Sequence, residues 1–243
     1  MKIHMNRFDI LFQDDHFIAI HKPPGIHVHP TPLAKGETSC TQILKNELGQ
    51  KVYSVHRLDR ATSGVLLFAL HADAARKVTQ LFTERLVKKI YWAVVRGFVD
   101  SEGRIDHPLR EDRYKERVNA VTEYRCLATV ELPYPVGKFA TARYSMVEIY
   151  PQTGRKNQIR KHFNKRSHPI IGDGTYGDNK HNRFFREQFG TYRLLLIAKS
   201  LSFEHPFTQQ RLTIEAPLPE DIGFLMGTFQ NYDSFELLNK ILY

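Results

Sequence analysis

The sequence predicts an α+β protein built from paired strands with few helices, and three observations predict it. Apolar runs of strand length meet around turn residues at three places. Phe8–Phe12 and Phe17–His21 flank Gln13-Asp14-Asp15-His16, Thr122–Leu132 and Ala140–Tyr150 flank Pro133-Tyr134-Pro135-Val136-Gly137, and Leu194–Phe203 and Arg211–Glu215 flank His205-Pro206-Phe207-Thr208. Helical spacing is confined to isolated stretches between these pairs. The 243 residues, 42% hydrophobic and 25% charged, suffice for one large core or two subdomains of a globular chain.

The elements follow in order. The first strand starts about seven residues into the chain, so no separate domain is expected ahead of it. Ser39–Leu48 suits a helix through Ile43, Leu44 and Leu48, with Thr38 or Ser39 as its cap and Gly49 as its end. Gly64–Leu70 is a continuous apolar run and reads as a buried strand. Ala72–Arg85 then places Val78, Leu81 and Phe82 on one helical face and leads into a strand over Lys89–Val95. Asp100–Arg117 is charged and aperiodic, an excursion over the surface. Gly154–His162 suits a helix because Ile159 and Phe163 are four apart. The tail, 217–243, reads as a packed helical extension through Ile222, Phe224, Leu225, Met226 and Phe229. There is no internal repeat or low-complexity tract.

Composition narrows the function classes. Thirty-five Lys and Arg against 26 Asp and Glu give a formal charge of +9, which fits a polyanionic partner but equally a merely basic enzyme. Cys40 and Cys126 are far apart and lack metal-ligand or disulfide spacing. Met1–Ile10 has no signal-peptide core, and Val65–Leu70 and Leu194–Ala198 are too short to span a bilayer. A cytoplasmic protein without membrane contact, taken as a monomer, is expected. His27-Val28-His29 with His21 lacks the spacing of a metal motif, so no metal ligand is assigned.

The chemistry concentrates in His56-Arg57-Leu58-Asp59-Arg60-Ala61-Thr62-Ser63-Gly64. Arginines on both sides favour the ionised carboxylate of Asp59, and the small residues after it supply turn chemistry. That setting suits a nucleophile or general base. Taken alone it also suits an Asp bonded within a turn beside surface ion pairs. Six cations gather further on, Arg155, Lys156, Arg160, Lys161, Lys165 and Arg166, either a solvated face or a track for RNA phosphate.

The loop resembles the catalytic signature of the RluA family of RNA pseudouridine synthases, His-Arg-Leu-Asp followed two residues later by Thr-Ser-Gly. Four more stretches match in the family's order: His21-Lys22-Pro23-Pro24-Gly25 with Val28-His29, Lys89-Ile90-Tyr91, Thr153 through Arg160, and His168-Pro169-Ile170-Ile171-Gly172-Asp173. The resemblance implies an α+β pseudouridine synthase fold with a bent, mixed, mainly antiparallel sheet and a central cleft, the whole of 1–243 forming one catalytic domain without an S4-type RNA-binding domain. It implies isomerisation of an RNA uridine with Asp59 as nucleophile, Tyr91 packed on the flipped uracil, Arg160 paired with Asp59, and RNA contacts from His56, Arg57 and Arg60 with Arg155, Lys156, Lys161, Lys165 and Arg166. No metal, nucleotide or other cofactor is implied.

The segment Tyr176–Gly190 is most similar to the family's bacterial tRNA branch, which implies a tRNA substrate and uridine 65 as its target; an rRNA target and a non-catalytic RNA-binding protein are the alternatives. Two departures stand out: Asn157 and Ile197 occupy positions where the family commonly has histidine.

Overall fold

A computed structural model describes residues 7–31, 36–110 and 116–237. The stretch 111–115 of the expected surface excursion and the last residues of the expected tail, 238–243, lie outside the described residues. The chain forms two compact units, one from Met1–Lys89 with Ile197–Pro217 and the other from Ile90–Leu196 with Leu218–Tyr243.

The first unit opens with the expected hairpin, β1 (Asp9–Gln13) against β2 (Phe17–Lys22). Asp14 closes the turn, its Oδ1 accepting from the backbone N–H groups of His16 at 2.8 Å and Phe17 at 2.7 Å. Helix α1 (Cys40–Leu48) starts at a reciprocal cap between Ser39 and Gln42 and stops at Gly49 in the left-handed region. After the two-residue β3 (Tyr53–Ser54) comes β4 (Ser63–Ala69), buried along its whole length. It pairs with β2 and β3 antiparallel and with β11 (Leu196–Glu204) parallel. The antiparallel partner of β11 is β12 (Arg211–Glu215). Helix α2 (Ala72–Thr83) sets Ala74 and Val78 into a core with Phe17, Leu67, Leu201 and Phe203.

One glycine makes this arrangement possible. At Gly64 φ is +109°, and a Cβ there would lie 2.2 Å from the Ala198 carbonyl oxygen. Only glycine lets β4 leave the Asp59 loop and approach β11.

The second unit is an antiparallel array. Here β5 (Lys88–Arg96) pairs with β10 (Ala142–Pro151), which pairs with β9 (Val121–Leu132). The edge of β9 carries β6 (Glu102–Asp106) and β13 (Glu236–Leu237) at different positions. A small ribbon, β7 (Leu109–Arg110) with β8 (Arg117–Val118), and three helices complete it: α3 (Gln158–Lys165), α4 (Asn179–Phe189) and α5 (Glu220–Phe229).

The structure departs from the sequence reading in several places, among them the short strands β7 and β8 in the supposed excursion and β13, which pairs with β9, in the tail expected to be helical. The supposed excursion contains β6, whose charged Glu102, Arg104 and Asp106 are exposed while Ile105 is buried. A short edge strand with charges on one face hides its alternation. Helix α3 begins only at Gln158, because Asn157 is left-handed at φ 55°. Helix α4 was not expected, since its buried face mixes His181 and Asn182 with Phe184 and Phe185. In α5, Ile222, Leu225, Met226 and Phe229 are buried, but Phe224 lies off that stripe and is 61% exposed.

Candidate active site

The Asp59 loop is fastened to the turn that follows β2. Lys22 is fully buried, and its Nζ donates to the carbonyl oxygens of Pro23 at 2.9 Å and Arg60 at 3.0 Å. The Arg60 carbonyl also accepts from Gly25 N–H at 2.8 Å, while Arg60 Nε returns a bond to the Gly25 carbonyl at 2.8 Å. Within the loop, Thr62 N–H donates to the Asp59 carbonyl at 3.1 Å. These bonds fix the backbone that presents Asp59. Burial pushes the Lys22 ammonium down to about 8, against the upward pull of Cys40 and of Asp59 nearby.

Two of the expected RNA contacts are engaged inside the unit. His56 Nε2 accepts the Leu67 N–H at 2.9 Å and the ring stacks on Phe82 with centroids 4.9 Å apart. Burial, with the Lys89 charge, pushes its pKa down to about 3. A neutral imidazole therefore serves the backbone of β4, and no cation stands there for RNA. Arg60 bonds Gly25 and reaches Glu37 at 3.1 Å. Arg57, by contrast, is exposed, and burial together with its charge holds His29 below the ordinary histidine range. The His27-Val28-His29 segment thus borders the loop. Among the described residues no group of three or more His, Cys, Asp or Glu side chains is arranged to hold a metal ion.

The second unit carries Tyr91 and Arg160. Tyr91 is half-buried near the start of β5, opposite Ile149. Arg160, 8% exposed, makes a bidentate pair with Asp173: Nε to Oδ2 and Nη2 to Oδ1, both 2.7 Å. Its Nη1 donates to Asn157 Oδ1 at 2.9 Å, and its guanidinium lies 5.1 Å from the Tyr176 ring centroid. Asp173 Oδ1 also accepts from the N–H groups of Thr175 and Tyr176, each at 2.9 Å. Burial pushes the Asp173 carboxyl up, but Arg160 and these N–H donors outweigh it and hold it below the usual range.

Asp173 ends one of the motifs read from the sequence, yet it was given no role there, because its partner lies 13 residues away across a turn. Asn157 is equally employed. Asn tolerates the left-handed backbone, and its amide joins Arg160 to the Tyr176 hydroxyl, 3.3 Å from Nδ2. The other departure, Ile197, is fully buried in β11 of the first unit.

The basic cluster divides. Arg155 Nε donates to the Asn119 carbonyl at 3.1 Å and Lys161 Nζ to the Arg110 carbonyl at 3.2 Å. Lys156, Lys165 and Arg166 are exposed. Gln158 holds the start of α3, accepting from Thr153 Oγ1 at 2.6 Å and donating to the Val121 carbonyl at 3.0 Å.

Comparison with known proteins bears on this arrangement. A family model for RNA pseudouridylate synthase matches residues 16–165. The chain is 47% identical over 232 residues to a tRNA pseudouridine synthase C of Vibrio cholerae, covering 91% of this chain and 95% of that protein. To the protein of the same name from Haemophilus ducreyi it is 46% identical over 231 residues, again covering 91% and 95%. Its fold is similar to that of human RNA Pseudouridylate Synthase Domain Containing 4, with a TM-score of 0.71 and 25% identity over 94% of each chain. Human RNA Pseudouridylate Synthase Domain Containing 1 shares the fold at a TM-score of 0.70 and 21% identity, covering 96% of this chain and 99% of that one.

Proposed function

From the premise that the chain belongs to the RNA pseudouridylate synthase family, we propose that it converts a single tRNA uridine, uridine 65, to pseudouridine with Asp59 as the attacking carboxylate. The observation that carries this reading is the Asp59 loop itself, its backbone clamped by Lys22, Gly25 and Arg60. Similarity to full-length proteins named as tRNA pseudouridine synthases favours tRNA over rRNA.

The reaction breaks the bond from ribose C1′ to uracil N1, turns the base, and joins C1′ to C5; the C5 proton leaves and N1 ends protonated. No atoms are gained and no electrons change hands, so the chemistry calls for no metal, nucleotide or redox group. Asp59 acts at the ribose; the family resemblance assigns Tyr91 to stacking on the base and taking the C5 proton, and Arg160 to the role of charge partner. Asp173 sets the plane of that guanidinium. Flipping a uridine out of its stack costs roughly a few kcal/mol; Arg57 fills the vacated space, and Lys156, Lys165 and Arg166 lie against phosphate.

The test is to incubate the purified protein, without metal or nucleotide, with unmodified total tRNA and rRNA fragments, then map pseudouridine by carbodiimide labelling and primer extension. A single tRNA stop that disappears with Asp59→Asn, while RNA binding persists, is the expected outcome. Stops confined to rRNA would overturn the substrate, and stops that survive Asp59→Asn would overturn the mechanism.

A further inference from the structure

One end of the second unit gathers cations and exposed aromatic rings that the proposed chemistry does not use. The β9–β10 hairpin tip presents Phe139, 61% exposed, with Lys138 Nζ 5.3 Å from its ring centroid. At the same end of β10, Phe98, 41% exposed, lies 5.3 Å from the Arg143 guanidinium, and Gly97 N–H bonds the Arg143 carbonyl at 2.6 Å. Helix α4 adds Lys180, whose side chain stands 3.3 Å from where a Cβ on Gly137 would be. Of the carboxylates nearby, Glu131 is matched by Arg143 at 2.9 Å and Asp178 by Arg96 at 2.5 Å, while Asp100, two residues beyond Phe98, is exposed. Lys138 and Lys180 have no carboxylate partner among the described residues.

Rings lying open under cations are the elements that stack bases and neutralise phosphate. The pattern does not suit a protein partner, whose footprint would be a contiguous apolar patch depleted of lysine. Along β5 the chain runs roughly 16 Å from Tyr91 to Arg96 at strand rise, and Phe98 follows two residues beyond the strand's end, so this surface is out of reach of the nucleotide on Tyr91. We propose that this end of the second unit is a distal RNA-contact surface, stacking nucleotides on Phe139 and Phe98 and holding phosphate with Lys138 and Lys180. It rests on the reading that the substrate is an RNA larger than the modified arm.

Two variants, Lys138→Ala/Phe139→Ala and Phe98→Ala, are to be compared with wild type on full-length tRNA transcript and on a hairpin containing only the target arm. All three side chains are exposed, and matching thermal melts verify the folds. On full-length tRNA the KM should rise about tenfold in each variant with kcat unchanged, and the double variant should lower the slope of log affinity against log salt by about 1. On the hairpin neither constant should move. Unchanged KM and slope on full-length tRNA would overturn the proposal, as would an equal rise on the hairpin, or a fall in molar mass on substitution that assigns the face to a second copy. Anisotropy titrations of the same RNAs decide the surface even if wild type proves inactive, an outcome that would count against the proposed function alone.

Discussion

At the scale of single residues, the decisive groups are buried charges whose partners are far along the chain. Arg160 and Asp173 form a bidentate pair, with Asp173 only 1% exposed. Asp173→Asn leaves a buried guanidinium uncompensated and should cost about 3 kcal/mol in a urea melt along with most of the turnover. Tyr176→Phe, which keeps the ring over Arg160 and removes only the hydroxyl bond to Asn157, should retain the fold. His56 supplies a pH dependence. Its folded pKa, about 3, is below the ordinary 6.5, so the unfolded chain binds the extra proton first. The contribution of His56 is complete above about pH 6.5 and is lost as pH falls toward 3, amounting to about 2 kcal/mol by pH 5. Melts of wild type and His56→Gln between pH 4 and 7 should diverge with that slope; parallel curves would show that His56 titrates normally. The sequence marked His56, Arg57 and Asp59 as one site. It gave no sign that His56 bonds Leu67, because a histidine beside arginines reads as one more cation until the backbone donor it faces is known.

At the scale of elements, local signals served where burial was one-sided. The capping pair Ser39 and Gln42, the Gly49 stop and the all-apolar β4 are legible because each acts within a few residues. Helix α4 was not, since His181 and Asn182 are buried only because Tyr144 bonds the former and Asp173 and Gly172 bond the latter. The junction of the Asp59 loop with β4 depends on Gly64. Gly64→Ala forces a Cβ to 2.2 Å from backbone at Ala198 in a left-handed conformation, and neither side can yield as a flexible side chain would. The variant should lose more than about 3 kcal/mol of stability and its activity with it, as read by denaturant titration and turnover. Near-native stability in that variant would mean that β11 can shift away from β4.

At the scale of the whole molecule, the charge of +9 is spent unevenly. Arg60, Arg155 and Lys161 bond backbone carbonyls, whereas Lys165 and Arg166 are exposed. Removing Lys165 and Arg166 together should lower the salt slope of RNA binding by about 1 to 2, and Lys161→Gln by less; equal slopes would show that α3 carries no phosphate. The sequence by itself determined the class of fold, the main strand pairs and the loop that holds Asp59, because periodicity, turn chemistry and a contiguous motif are properties of neighbouring residues. Tertiary structure alone decided which charges are internal. The pairing of Arg160 with Asp173, the burial of Lys22 beneath the Asp59 loop and the use of His56 by β4 join residues that are distant in sequence, and the cost of burying a charge or a polar group can be met only by the partner that folding brings to it.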